Sequence, residues 1–248
     1  MKISVVMVSF NSEKTIGFAI KSFLAQNHPD NELLIIDGAS KDRTVEIARS
    51  LQNDQIRILS EPDHGIYDAM NKGLRLFQGD AVGFIGSDDT FHGPHSLGML
   101  NTGLENADIV YGDLHMVRDH TEKKVIRVWK SGQYHSRSFA RGWMPAHATF
   151  YIRRPVAEVT GEFDLSYDIG SDYDYVLRAM MLKPWRVKYI PEILIDFQLG
   201  GTSSNGLAGA LHQNLECLRA RQRYMGAPMM DMAFFLKWAR KLTQFRIS

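Results

Sequence analysis

The sequence predicts an α/β fold: a mainly parallel, doubly wound sheet flanked by helices, with a helical extension at the C-terminus. Three observations carry this. Short apolar, β-branched runs alternate with amphipathic stretches through about the first 90 residues. Turn-forming polar residues follow those runs directly. The composition is 44% hydrophobic and 23% charged over 248 residues, with a single cysteine. That excludes a disordered chain, collagen, a coiled coil, a disulfide scaffold and a cysteine-ligated zinc site.

The elements follow in order. Ile3 to Phe10 is a continuous apolar run, the mark of a strand covered on both faces. It passes straight into Asn11 with no small-residue cleavage site, so it reads as a buried strand and the protein as cytoplasmic. Asn11 or Ser12 can cap a helix whose Ile16, Ile20, Phe23 and Leu24 share one face. Leu33 to Ile36 is a second strand, stopped at Asp37-Gly38, and Thr44 to Leu51 a second helix. Ile56 to Leu59 is a third strand. Ile66, Met70, Gly73 and Phe77 fall at helical spacing. Ala81 to Ile85 is a fourth strand, ended by Gly86-Ser87-Asp88-Asp89. In such sheets ligands bind beyond the carboxyl ends of the strands. Ser9-Phe10-Asn11, Asp37-Gly38-Ala39-Ser40 and Ser87-Asp88-Asp89 are therefore the places to look for function.

The second half is less regular. Asp108 to Tyr111, Lys124 to Trp129, Thr149 to Ile152 and Arg186 to Ile190 read as strands. Tyr173, Val176, Leu177 and Met180 mark a helix starting near Ser171. Gly200 to Gly206 is a polar loop. Leu207, Leu211, Leu215 and Leu218 then lie on one side of a helix.

Charges nearly cancel, 29 basic against 28 acidic, so no global field favours nucleic acid. No apolar run is long enough to span a membrane. The tail differs: Arg219, Arg221, Arg223, Lys237, Arg240, Lys241 and Arg246 face Asp231 alone. Phe234, Trp238, Leu242 and Phe245 line one side of a basic amphipathic helix. Peripheral binding through residues 229–248 to the inner face of the cell membrane is expected, against docking of the same stripe onto the protein itself.

Several groups suit chemistry. Adjacent Asp88 and Asp89 repel each other, and a divalent cation bridging to a diphosphate would compensate; a capped turn is the plainer reading. Asp37 can accept from a nucleobase N–H or a ribose hydroxyl, or cap the second helix. Asp172 and Asp174 lie in the first turn of a helix, where its dipole favours acids; either alternatively suits a general base. His64, His92 and His147 are weak signals singly. There is no H-E-x-x-H, Walker loop, G-x-S-x-G elbow or dinucleotide fingerprint.

Together these pieces resemble the family 2 glycosyltransferases, inverting enzymes of the Rossmann-like GT-A fold. Ile3 to Asn11 matches their first strand and nucleotide-side loop, placing Ser9, Phe10 and Asn11 at the donor. Leu34 to Thr44, with Asp37, matches the base-contacting segment. Glu61-Pro62-Asp63-His64-Gly65-Ile66-Tyr67-Asp68-Ala69-Met70-Asn71-Lys72-Gly73 is similar to bacterial transferases of the colanic-acid and O-antigen type, and adds Asp63 and Asp68 to the donor site. Asp88 and Asp89 stand where the family holds metal and nucleotide, and Asp172 where it has its base. Trp143, His147, Arg153 and Ser203 fall in segments that shape the acceptor and phosphate sites. Three positions depart from the family pattern: Gly38 follows Asp37, Gly86 stands where a D-x-D triplet begins, and Ser171 replaces an acid before Asp172.

The resemblance implies residues 1–205 as the transferase domain, with 1–95 the nucleotide-sugar half and 96–205 the acceptor half. Residues 206–248 are then the extension. It implies a single displacement with inversion, in which Mn²⁺ or Mg²⁺ on Asp88 and Asp89 stabilises the departing nucleoside diphosphate. Asp172 would deprotonate the acceptor hydroxyl. The implied partners are a nucleotide-sugar donor (UDP-linked by preference), a polyprenyl-diphosphate-linked or saccharide acceptor, and the inner-membrane surface. A homodimer is compatible with this. The rival of another class is a non-catalytic nucleotide-sugar-binding or scaffold subunit, suggested by Gly86. A nucleotidyltransferase is disfavoured because Ser9 to Thr15 lacks a Gly-rich basic loop.

Overall fold

Alternation along the first strand decides the architecture. In the computed structural model, which describes residues 1–119, 124–200, 206–228 and 232–234, β1 (Ile3–Ser9) is buried along its whole length. Ile3, Val5 and Met7 enter one apolar cluster, Val6 and Val8 another on the opposite face. β2 (Asn31–Asp37) is equally buried. β1 lies parallel between β2 and β4 (Ala81–Gly86), and β2 pairs parallel with β3 (Ile56–Ser60). The connecting helices are α1 (Ile16–Leu24), α2 (Thr44–Ser50) and α3 (Ile66–Leu76). Register sets Ser9 beside Asp37 and Asp37 beside Ser60, so three strand ends finish level.

Beyond β4 the chain forms β5 (Thr90–Phe91), α4 (Ser96–Glu105), β6 (Ile109–Val117) and β7 (Val125–Trp129). β8 (Tyr151–Arg153), α5 (Arg154–Thr160), α6 (Ser171–Met181), β9 (Val187–Gln198) and α7 (Gly206–Met225) follow. The sheet order is β3-β2-β1-β4-β8-β6-β9-β5, with β7 on β6. β6 and β9 are parallel; β8, β7 and β5 pair antiparallel with their neighbours.

Several elements differ from the sequence reading. α1 starts at Ile16 rather than at Asn11 or Ser12, because Asn11 takes a left-handed φ of 48° and the Ser12 carbonyl accepts the N–H groups of Thr15 and Ile16. β9 continues through Pro191 to Gln198, with breaks in register beside the proline. α4, β5 and α5 were not foreseen. On α7 the predicted leucine face is split: Leu218 is buried, but Leu211 is 44% and Leu215 48% exposed. Asn214, Cys217 and Arg221 are buried with Leu218, again at helical spacing.

α7 is an integral part of the body. Cys217 and Ala220 share the second cluster with Tyr173, Val176 and Leu177 of α6. The fully buried Arg221 donates to the Tyr173 hydroxyl at 3.1 Å. Arg219 stacks over Tyr167 and Arg223 pairs with Asp164 at 3.0 Å, so three basic residues of the tail face the protein. Of residues 229–248 only 232–234 are described. Ala233 there is buried, and the Phe234 carbonyl accepts from Asn214 at 3.0 Å. Trp238, Leu242 and Phe245 lie outside the described residues, as does Ser203. Among the described residues no helix is long and apolar enough to cross a membrane.

Candidate active site

The level strand ends support a stitched rim. Asp37, 1% exposed, accepts from Ser9 Oγ at 3.2 Å, the Ser40 N–H at 2.9 Å, Ser40 Oγ and Ser60 Oγ at 2.7 Å. A carboxylate offers about four lone-pair positions, and these bonds make Asp37 the organiser of the loop. Asn11 donates its N–H to Ser40 Oγ and accepts from Lys41 N–H, while Ser12 and Ser87 bond through their hydroxyls at 2.7 Å. Asn11 and Ala39 (φ 57°) both hold the left-handed conformation, a strain that clusters at ligand sites.

The glycine at 38 has a reason. A Cβ there would stand 2.5 Å from Asp63 Oδ2. The half-buried Asp63 thus brings its carboxylate to the place a second acid after Asp37 would reach. It also accepts from Gly65 N–H at 2.9 Å, and Asp68 accepts from His64 N–H at 3.0 Å, so both also fix the turn into α3. Phe10 stands 62% exposed on the same rim.

At the end of β4 the two acids divide their work. Asp89 is buried; Oδ1 accepts from Gln198 N–H at 3.0 Å and Oδ2 from Gly86 N–H at 3.3 Å. Asp88 is partly open. Both converge on Gly86, where a Cβ would lie 2.5 Å from Asp88 Oδ1 and 3.0 Å from Asp89 Oδ2. A side chain at 86 would have to displace the Asp88 carboxylate, so the glycine lets the pair close in on this position. Burial, and next the charge of Asp88, push the Asp89 carboxyl well above its ordinary range. A hard, oxygen-seeking divalent cation relieves both effects, so the donor set fits Mn²⁺ or Mg²⁺.

The acids of α6 separate cleanly. Asp174 is fully buried and held by Arg178 Nε at 2.7 Å; Arg178 also binds the Thr160 and Glu162 carbonyls. Asp172 keeps some exposure. Its Oδ1 accepts from Tyr173 N–H, and its Oδ2 lies 3.6 Å from His147 Nδ1. His147 in turn packs edge-on against Phe197, next to the Gln198 that binds Asp89. The end of β9 therefore links the acidic pair to Asp172. Tyr67, from the start of α3, also comes up to this acid. Burial, then the charge of Asp172, push its phenol up, and as a neutral donor it bonds the Ile169 carbonyl.

Trp143 sits among Tyr111, Tyr134 and Phe139, its indole N–H on the Ser131 carbonyl at 2.6 Å. Arg153 is not brought to the site. It pairs with Ala81 at the start of β4, roughly 20 Å of strand from the acidic end. Elsewhere Asp196 accepts from His92 at 2.8 Å and lies 3.4 Å from His115.

A doubly wound sheet carries an acidic pair at its strand ends, and comparison with known proteins assigns this architecture to the GT-A glycosyltransferases. The family model described as Glycosyl transferase family 2 matches residues 4–159, and the chain belongs to that family. It is 33% identical over 218 residues to an uncharacterized glycosyltransferase of Nostoc sp., covering 83% of this chain and 67% of that one. It is 26% identical to a PGL/p-HBAD biosynthesis glycosyltransferase of Mycobacterium bovis, covering 82% and 78%. Among solved structures, S. aureus TarS 1–349 in complex with UDP-GlcNAc superposes with a TM-score of 0.68 at 17% identity, over 94% of this chain and 69% of that one. The mannosyltransferase PcManGT of Pyrobaculum calidifontis, with GDP-Man and Mn²⁺, gives 0.66 at 16% identity, over 96% and 68%. A longer TarS chain is spanned over 44% of its length.

Proposed function

We propose that this glycosyltransferase moves a sugar from a nucleotide-sugar, UDP-linked by preference, to a lipid-linked saccharide of a cell-surface polysaccharide, inverting the anomeric centre. The observation that carries the reading is the link from Asp89 through Gln198, Phe197 and His147 to Asp172. It sets an acid pair suited to a diphosphate and a partly open acid suited to a hydroxyl on one rim. Asp172 takes the proton of the acceptor hydroxyl as the oxygen attacks the anomeric carbon and the bond to the nucleoside diphosphate breaks. Asp88 would hold Mn²⁺ or Mg²⁺, and Asp89 anchors the turn beneath it. The bound cation supplies charge stabilisation to the leaving diphosphate. Phe10, Asn11 and Asp63 border the nucleoside. Trp143 offers an aromatic edge to the acceptor. Gly86 is consistent with a catalytic role, since it leaves the place to which the carboxylates of Asp88 and Asp89 converge.

Incubation with a panel of UDP- and GDP-sugars and polyprenyl-diphosphate-linked acceptors, read by mass spectrometry, tests this. The expected result is one glycosylated acceptor of inverted configuration and one nucleoside diphosphate. A retained configuration, or donor binding with no transfer in Mn²⁺, would refute it.

Such an acceptor lies in a bilayer, and we place residues 229–248 against the inner surface of the membrane. Each basic residue near an anionic surface contributes about 1 kcal/mol. Truncation before Met229 should abolish sedimentation with anionic vesicles while the chain stays folded and active on a soluble acceptor. A truncated chain that unfolds would instead assign the segment to the protein's own packing, in line with the buried Ala233.

A further inference from the structure

The turn that precedes the proposed base is held by a residue far along the chain. α6 begins at Ser171 after Gly170, which has no side chain to cap the helix. The N–H groups of the turn that leads into it, residues 168–170, are met from another helix. Glu216 of α7, 8% exposed, accepts the N–H of Asp168 at 2.8 Å through Oε1, and those of Ile169 and Gly170 at 2.9 and 2.7 Å through Oε2. The fit is close: a Cβ on Gly170 would stand 2.9 Å from the Glu216 Cβ. His212 lies 3.1 Å from Asp168 and 3.5 Å from Glu216. From the other side Tyr67 bonds the Ile169 carbonyl. The turn is thus gripped by its N–H groups and by its carbonyl, and Asp172 follows it directly.

We propose that Glu216 is a positioning residue for sugar transfer: a clamp on residues 168–170 that aims Asp172 at the acceptor. This rests on the reading of Asp172 as the base. Carboxylate bonds to backbone N–H are charge-assisted and stronger than neutral ones. A misplacement of a reacting group by about 1 Å can cost about 10²-fold in rate. Glu216 lies outside the residues 4–159 matched by the family model, so this part of the machinery sits in the C-terminal segment.

The test is a double-mutant cycle in the full chain with Glu216→Ala and Asp172→Asn. Turnover is read as nucleoside diphosphate release with the donor and acceptor found in the product screen. UDP and GDP binding are read by calorimetry, and folding by thermal melts. Glu216→Ala should lower kcat by about 10²-fold with nucleotide affinity unchanged. Glu216→Gln, which keeps an accepting oxygen, should recover part of the loss. In an Asp172→Asn background Glu216→Ala should cost nothing more, because the clamp acts only through Asp172. A merely structural residue would add its loss in both backgrounds, and that outcome overturns the proposal. So does wild-type kcat in Glu216→Ala while Asp172→Asn is inactive. Wild-type activity of Asp172→Asn instead removes the base itself. Should Glu216→Ala fail to fold, Glu216→Gln carries the same cycle.

Discussion

Asp172→Asn is expected to lower kcat by about 10²–10⁴-fold, the usual range for loss of a general base, with nucleotide binding and thermal stability near those of the wild type. The amide keeps the volume and the oxygen that accepts from Tyr173 N–H; what it loses is the ability to take a proton. Asp174→Asn should behave in the opposite way. Asp174 is fully buried on Arg178, whose guanidinium also binds two carbonyls at and just after the end of α5. Neutralising it leaves a buried cation uncompensated, a change that typically costs about 3–5 kcal/mol, and the melting temperature should fall. Single-turnover rates and melts of the two variants check this together. An Asp172→Asn enzyme within tenfold of wild type, beside a folded but inactive Asp174→Asn, would reverse the assignment.

The second large effect is expected from removal of divalent metal. Dialysis against EDTA should abolish transfer, and Mn²⁺ or Mg²⁺ should restore it. Charge stabilisation of the leaving group by a metal is worth several kcal/mol, on the order of 10²-fold or more at about 1.4 kcal/mol per tenfold. Asp88→Asn should reproduce the loss and raise the Mn²⁺ concentration needed for half-maximal rescue. Asp89→Ala should also destabilise the fold, because the Gln198 and Gly86 N–H groups both lose the acceptor they share. Undiminished turnover in a preparation shown to be metal-free would end this reading of the acidic pair.

The sheet was legible where the sequence is simplest. β1, β2 and β4 are buried on both faces and apolar through their centres, with polar residues such as Ser4, Asn31 and Glu32 near one end, and a buried parallel strand leaves that signature. α4 was hidden because Gly98 and Gly103 interrupt its pattern, although Leu97, Leu100 and Leu104 are buried at helical spacing. β9 was cut short at a proline, yet it runs seven residues beyond Pro191, where the register break absorbs the missing N–H. α7 shows a different limit. Its period holds, but only Leu218 of the leucine face is among the residues seen to be buried, because much of the buried side is polar. Asn214 meets the Phe234 carbonyl, Glu216 the turn before α6, and Arg221 the Tyr173 hydroxyl. In the site, Asp88, Asp89 and Asp172 were readable as residue types after strands or at a helix start. Their division of labour was not. That Asp37 is bonded by serines, that Asp63 reaches over Gly38, and that Asp89 is sunk beneath Asp88 all depend on contacts between distant segments.

The place of β9 in the sheet also bears on how the chain is made. β3, β2, β1 and β4 are synthesised first and can pair with one another at once. β9 is the last strand made, yet it must enter between β6 and β5. Insertion of a late strand between early ones gives high contact order and slow closure. A ribosome-bound chain that ends before Gln198 therefore has its acidic turn already built but lacks the N–H that anchors Asp89. Until then the edge of β6 stands open to other strands, a hazard met by chaperones during synthesis.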